Sequence, residues 1–286
     1  MGIHGYLALW CAVFGAMALI GYGMSLAGVT RAQRTVRVMG RIERVREPRH
    51  GSSQRDGIPV VVSFRDPSTG QEFTVTNDDE HGERISTAWT GREIGVRYQR
   101  GRPHTYRFTQ DLWANRHGRA WPNSAVFLLY VGLVVFAAID WGWPWALLGF
   151  AGPWSVAGVF YLPRNARETR RRIDALTSRS FVQGRVVAVL TDTSTDEDGH
   201  TSTSHTPVIA FTTHEGTSVT AYCADGLPNP VNSYGRAVTI HYSPEDPAVF
   251  TPDLASEHRS RKFDMVCSAV ALVIAMSAVA VGVVML

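Results

Sequence analysis

The stretch Gly91-Arg92-Glu93-Ile94-Gly95-Val96-Arg97-Tyr98 returns 144 residues later as Gly235-Arg236-Ala237-Val238-Thr239-Ile240-His241-Tyr242. The same offset carries Pro103 onto Pro247 and Tyr106 onto Phe250, and Val38-Met39-Gly40-Arg41-Ile42 onto Val182-Gln183-Gly184-Arg185-Val186. Between these anchors, after small insertions, Pro59-Val60-Val61 aligns with Pro207-Val208-Ile209, and Gly70 with Gly216. Chance similarity does not hold one offset at both ends of a domain, so the spacing predicts one module used twice. Each copy reads as β. Ile94, Val96 and Tyr98 alternate with polar neighbours, as do Val238, Ile240 and Tyr242, and period two marks a half-buried strand. Val36–Val45 and Phe181–Leu190 are β-branched runs around Gly40 and Gly184, which imply a bulge or a close backbone approach. Val60–Phe64, Val208–Phe211 and Glu72–Thr76 supply further strands, with turns at Asp66–Gly70 and His214–Gly216. Short strands at this density predict a small, partly closed barrel or sandwich.

Outside these regions the composition changes. The chain has 286 residues, is 45% hydrophobic and 19% charged, and carries a net charge of +3. Its mean hydropathy of -0.05 averages two unlike materials. All 28 Lys/Arg fall within 31–123 and 164–264, and the rest of the chain holds one acid, Asp140. The apolar content excludes a disordered chain. Three cysteines, Cys11, Cys223 and Cys267, exclude a disulfide scaffold. A helix needs about 20 apolar residues to cross about 30 Å of hydrocarbon, and four stretches invite that reading.

The expected organisation is a transmembrane helix at 5–29, a first β module at 31–123, transmembrane helices at 124–140 and 143–162, a juxtamembrane segment and second β module at 163–263, and a transmembrane helix at 264–286. The fold class is mixed membrane α and soluble β, with four transmembrane helices and two homologous small β-barrel or sandwich modules. The second and third spans share Asp140-Trp141-Gly142-Trp143-Pro144, a tight hairpin with Trp141, Trp143 and Trp145 at one membrane interface. Ser25-Leu26-Ala27 resembles a signal-peptide cleavage site, a rival reading opposed by an uncharged start and a long apolar run.

Basic clusters set the orientation. Arg31, Arg34 and Arg37 follow the first span, Arg116 and Arg119 precede the second, Arg164, Arg167, Arg170, Arg171 and Arg172 follow the third, and Arg259, Arg261 and Lys262 precede the fourth. With four crossings all lie on one side, and such flanks stay cytoplasmic. Both β modules are expected in the cytosol and both termini outside. Of the 28 basic residues only Lys262 is lysine, a bias that fits a GC-rich bacterial genome. The expected location is the bacterial plasma membrane.

The Gly-x-x-Val of the first strand, a Pro-Val-Val-x-Phe strand before a Gly turn, and the closing Gly-x-x-Val-x-Ile-x-Tyr-x-Pro-x-x-Pro from Gly235 to Pro247 resemble the domain-of-unknown-function family 3592, in two copies. The first copy departs from it, with Gln99-Arg100-Gly101-Arg102-Pro103 in place of Ser243-Pro244-Glu245-Asp246-Pro247. The resemblance implies a bacterial membrane-associated protein of unassigned activity and transfers no functional residue.

Chemical motifs are sparse. The chain has no phosphate-binding Gly-rich loop, His-Glu-x-x-His, Cys-x-x-Cys or Gly-x-Ser-x-Gly. Cys223 is a candidate nucleophile with His205, His214 or His241 as base, weighed against an ordinary thiol beside a strand. The first copy carries Asp78 or Asp79 near that place. His200, His205 and His214 follow Asp192, Asp196, Glu197 and Asp198, a candidate metal cluster. Ser194–Gly199 resembles the start of a calcium loop, but its twelfth position is His205 rather than a bidentate Glu. The rival reading is a solvated hairpin tip. On balance no catalytic, cofactor or metal residue is expected.

Region 31–123, whose loop Arg46–Gly57 is basic, holds seventeen basic and eleven acidic residues, and 164–264 holds eleven and thirteen. Opposite charge invites docking of the modules within or between chains, with Asp196, Glu197 and Asp198 as the acidic contact; the rival reading is drift of two solvated surfaces. Arg164–Leu176 suits anionic headgroups. No nucleic-acid motif accompanies the arginines. The expected role is non-enzymatic: an interaction platform or accessory subunit that presents the modules to a protein partner at the lipid bilayer. The alternatives are solute transport or envelope sensing, disfavoured because Asp140 sits at a turn, and a membrane-bound hydrolase.

Overall fold

The computed structural model describes residues 2–54, 57–77, 84–114, 116–177, 180–196, 198–223 and 227–286. Its helices are α1 (Ile3–Leu26), α2 (Ala120–Trp141), α3 (Pro144–Thr177) and α4 (Leu254–Val284). Between α1 and α2 lie β1 (Thr35–Val45), β2 (Val60–Arg65), β3 (Glu72–Thr76), β4 (Thr87–Trp89), β5 (Glu93–Gln99) and β6 (Arg102–Thr109). Between α3 and α4 lie β7 (Phe181–Thr195), β8 (Thr201–Thr212), β9 (Ser218–Tyr222), β10 (Ala237–Tyr242) and β11 (Phe250–Thr251). The chain divides into a helical unit, Met1–Arg34, Trp113–Thr169 and Arg261–Leu286, and a β unit, Thr35–Leu112 and Arg170–Ser260.

All four helices are long and apolar enough to cross a membrane, by length and composition. The turn between α2 and α3 closes at Gly142, whose φ of 102° suits a residue without a side chain. Sequence neighbours in the helical unit run antiparallel. Trp10 Nε1 donates to Leu128 O at 2.9 Å, Tyr22 OH to Asn123 Oδ1 at 2.7 Å, and His4 Nδ1 lies 3.4 Å from Asp140 Oδ1. Asp140 therefore sits at the end of α2 beside the first turn of α1. Small residues open the crossings. A Cβ at Gly132 would stand 2.7 Å from Trp10 Cδ1, and one at Gly158 2.7 Å from Leu272 Cδ1, so the small residue is what lets each pair of helices approach closely. Pro153, inside α3, has no N–H to give the carbonyl four residues back. That carbonyl, Gly149 O, accepts instead from Tyr130 OH at 2.5 Å. Large side chains face outward, with Leu19 76%, Trp154 74% and Ile274 64% exposed.

The helices overrun the expected spans. α3 continues through the arginine-rich segment to Thr177. α4 begins at Leu254 because Asp253 caps it, its Oδ1 accepting from Ala255 N at 2.9 Å and Ser256 N at 3.1 Å. Within the β unit Arg172 Nε reaches Glu257 Oε1 at 2.8 Å.

The β unit holds two curled antiparallel sheets, half-barrels ordered β3-β2-β1-β5-β6 and β11-β10-β7-β8-β9-β4. Their central pairings coincide under the 144-residue offset. Val38 opposes Val96 and Gly40 opposes Ile94; Val182 opposes Ile240 and Gly184 opposes Val238. The register shift in β1 falls between Ile42 and Arg44, and that in β7 between Val186 and Ala188. Gly40 and Gly184 are thus close approaches, and the bulge lies beyond them. A Cβ at Gly40 would be 2.7 Å from Val62 Cγ1, and one at Gly184 2.9 Å from Ile240 Cγ1.

The second-strand alignment needs a one-residue correction. Val61 opposes Arg44 and Val208 opposes Ala188, so Val61 matches Val208 and not Ile209. The correction matters because a one-residue slip turns every side chain to the other face. It brings Phe64 onto Phe211, which meet Tyr98 and Tyr242 at ring separations of 5.6 Å and 5.9 Å. Each tyrosine then ties down the turn after its second strand. Tyr98 OH donates to Asp66 Oδ1 at 2.9 Å, whereas Tyr242 OH accepts from His214 N at 2.9 Å.

Candidate functional site

The two sheets join through a strand that leaves its neighbours. β4 belongs by sequence with the first sheet, yet Thr87 pairs with Ala221, Ala88 with Thr220 and Trp89 with Val219 on the edge of the second. Tyr222 N adds a bond to Ser86 O at 2.7 Å. Ala88 is fully buried in the first core while Trp89 packs against the second. Tyr222 in turn packs against the first core and its hydroxyl donates to Gln54 O at 3.3 Å. Arg92 holds this corner: its guanidinium lies 4.7 Å over the Trp89 ring and donates to Thr87 O. Burial draws its pKa down and the charge of Asp246, from the other half of the chain, opposes the fall.

A second seam lies on β7. Val189 and Thr191 turn their backbone groups away from β8, onto the edge of β7 beyond the β10 ladder, which ends at Arg185. The loop after β1 supplies the missing partners on the free edge. Val189 N donates to His50 Nδ1 at 3.1 Å, Gly51 N donates to Val189 O at 2.9 Å, and Thr191 N donates to Ser52 O at 3.0 Å. Because Val189 N is the donor, His50 Nδ1 carries no proton and Nε2 does. The His50 ring stacks on Tyr234 at 4.2 Å.

Between these seams an open groove of about 660 Å³ runs over the outer face of β7, β8 and β9. Arg185, Ala210 and Thr220 lie in one cross-strand row and Thr212 with Ser218 in the next. Glu47, Val45 and Thr90 of the first half form the opposite wall. Thr212 Oγ1 and Ser218 Oγ are 3.3 Å apart, and Gln183 Nε2 donates to Thr239 Oγ1 at 3.1 Å. The groove offers a guanidinium, a carboxylate, an amide and a row of hydroxyls around the small floor residue Ala210. That set suits hydrogen bonding to an extended polar segment, and a volume near 660 Å³ falls in the range of ligand clefts.

The residues singled out from the sequence fall elsewhere. Cys223 is 3% exposed, packed with Val186, Ile209 and Tyr242. The strand register matches it to Asn77, whose side chain accepts from Val60 N and donates to Ile58 O; Asp78 and Asp79 lie outside the described residues. His205 is on β8, His214 in the turn after it and His241 on β10. His200 and His214 are separated by the length of β8, roughly 40 Å at 3.3 Å per residue. Among the described residues no group of three or more His, Cys, Asp or Glu is placed to hold a metal ion. Asp196 and Asp198 are exposed at the hairpin tip, where Asp196 Oδ1 accepts from His200 N at 2.8 Å; Glu197 lies outside the described residues. Among the described residues, the strand pairing between the halves lies at β4 and β9, and Asp196 and Asp198 take no part in it. Sequence reasoning missed β4, Arg92, His50 and the groove. None of them carried a motif or a period that marks it in the sequence.

A family model described as a domain of unknown function (DUF3592) matches residues 182–254, which takes in the second sheet from β7 to β11 and ends where α4 begins. No curated protein and no solved structure matches the chain.

Proposed function

We propose that the chain is a membrane-anchored, non-enzymatic binding platform, in which four helices cross the bilayer and two copies of one β domain act together as the receptor for a protein partner. The observation that carries this is the strand β4, which fuses the sheets so that one polar groove has walls from both. The shared register at an offset of 144 supports descent of both sheets from a single domain, and the match to 182–254 supports the identity of the second. Exposed Leu19, Trp154 and Ile274 support lipid around the helices, since contiguous apolar surface of that kind marks a membrane-facing side. The basic flanks support a β unit on the cytosolic side of a bacterial plasma membrane.

Two experiments test it. A reporter active only in the cytosol is expected to work at Gly199, on the hairpin tip, and to fail at Gly142; the reverse pattern refutes the orientation. A photo-cross-linking residue at Ser218, in cells carrying the full chain, is expected to give a discrete protein adduct that Arg185→Glu abolishes and that the same probe at His200 does not give. Identical adducts from both positions refute the groove as the receptor.

A further inference from the structure

We propose that the cleft between α3 and α4, at the level where their apolar stretches end, binds the headgroup of a zwitterionic aminophospholipid, of the phosphatidylethanolamine kind. The inference rests on the membrane reading above. The cleft has a volume of about 350 Å³ and lies wholly within the helical unit. Tyr161, Asn165 and Thr169 recur at every fourth position of α3, one face of a helix. Arg261, Asp264 and Ser268 of α4 face them across the gap. One turn further into the apolar segment the same two helices close, with Gly158 against Leu272. The gap opens where Pro163 interrupts the hydrogen bonds of α3 and where the sequence passes from Tyr161-Leu162 to Arg164. On α4 the change from Asp264 to Met265 falls at the same level. A headgroup sits at this depth, its acyl chains against the apolar helix faces.

The side chains select among headgroups. Arg261 suits a phosphate, as arginine does through its planar donors. Asp264 shares the cleft and disfavours an anionic ligand, but a carboxylate accepts well from a primary ammonium. Ethanolamine carries both charges and three N–H donors. Choline carries the charge without the donors, and a glycerol headgroup lacks the cation. Tyr161, Asn165 and Thr169 complete the wall with groups that donate to phosphate oxygens. Ser268 Oγ already donates to Asp264 O at 2.8 Å.

The test uses the full chain in detergent, titrated with phosphatidylethanolamine, phosphatidylcholine, phosphatidylglycerol or soluble phosphoethanolamine and read by native mass spectrometry. Wild type is expected to retain one phosphatidylethanolamine in preference to the other lipids by roughly tenfold, the ratio that one charge-assisted hydrogen bond supplies. Asp264→Asn is expected to erase the preference over phosphatidylcholine, and Arg261→Gln to weaken all three lipids. Preference for phosphatidylglycerol, or a wild-type preference that survives Asp264→Asn, overturns the inference. Phosphoethanolamine binding as tightly as the lipid overturns the lipid source. Flotation with vesicles is the separate control: a chain that does not float refutes the membrane reading itself, whereas one that floats without selecting ethanolamine refutes only the cleft.

Discussion

Replacing Gly40 with alanine puts a methyl group where the first sheet has no room. The new Cβ would lie 2.7 Å from Val62 Cγ1, 3.0 Å from Val96 Cγ2 and 3.1 Å from Ser63 O. Carbon atoms pack best at about 3.5–4.0 Å, and both valines are fully buried, so neither can swing clear. Overpacking of this kind costs about 1–3 kcal/mol, and the stiffer unfolded chain returns about 0.4–1 kcal/mol. The net loss for Gly40→Ala is then about 1–2 kcal/mol. At Gly184 the contacts are 2.9, 3.1 and 3.2 Å, so Gly184→Ala is expected to lose less. Gly152, in α3, has nothing within 4 Å of its virtual Cβ, and Gly152→Ala should match or exceed wild type. The assay is the apparent thermal midpoint of the full chain in one detergent, where 1 kcal/mol moves a domain of 150–250 residues by about 2–4 °C. The order expected is Gly152→Ala at or above wild type, then Gly184→Ala, then Gly40→Ala. Gly40→Ala at or above wild type would refute the strand register from which the argument is built.

The Asp66–Tyr98 pair predicts stability limits at both ends of the pH scale. Ser68 N–H, then the hydroxyls of Ser68, Tyr98 and Thr69, hold Asp66 below 3.8 against the opposing effect of burial, so its stabilisation is full above 3.8 and is lost as acid titrates the folded carboxylate; Asp66→Asn should flatten that limb of a denaturation-versus-pH curve. Burial, and then Asp66, push Tyr98 up to about 12 from 10.0, so its contribution is complete below 10 and disappears as pH rises toward 12, a loss that Tyr98→Phe should remove. His50→Ala deprives buried Val189 N of its acceptor and should cost about 1–3 kcal/mol, visible as faster hydrogen exchange at Val189; unchanged exchange would dismiss the seam. Tyr130→Phe leaves Gly149 O without the donor that replaces Pro153 and should reduce the helical unit's stability by about 0.6–1.7 kcal/mol, with no effect on exchange in the sheets.

The paired strands were legible because their spacing is local arithmetic. Val38 and Val96, like Val182 and Ile240, keep both their separation and their partner. The second strand was misread by one residue because the insertions before Val60 and Val208 differ in length, and proline at both sites offered a false anchor. Polar Thr191–Thr195 and Thr201–His205 look like loop by composition, yet β-branched threonine suits a solvated ribbon, and β7 and β8 extend through them. β4 was illegible. Three residues are too few to show a period, and their partners lie in the other half of the chain. The groove followed it out of sight, since its two walls are far apart in sequence.

The exchange of β4 also imposes a timetable. Trp89 leaves the ribosome about 130 residues ahead of Val219, its mate in the finished sheet. At roughly 5–20 residues per second, that wait is on the order of ten seconds, and both halves of the Trp141–Trp145 hairpin are made during it. The nascent amino-terminal half must therefore hold an orphan strand in reserve until the carboxy-terminal half arrives. Its maturation is a late event of biogenesis, open to interception by chaperones.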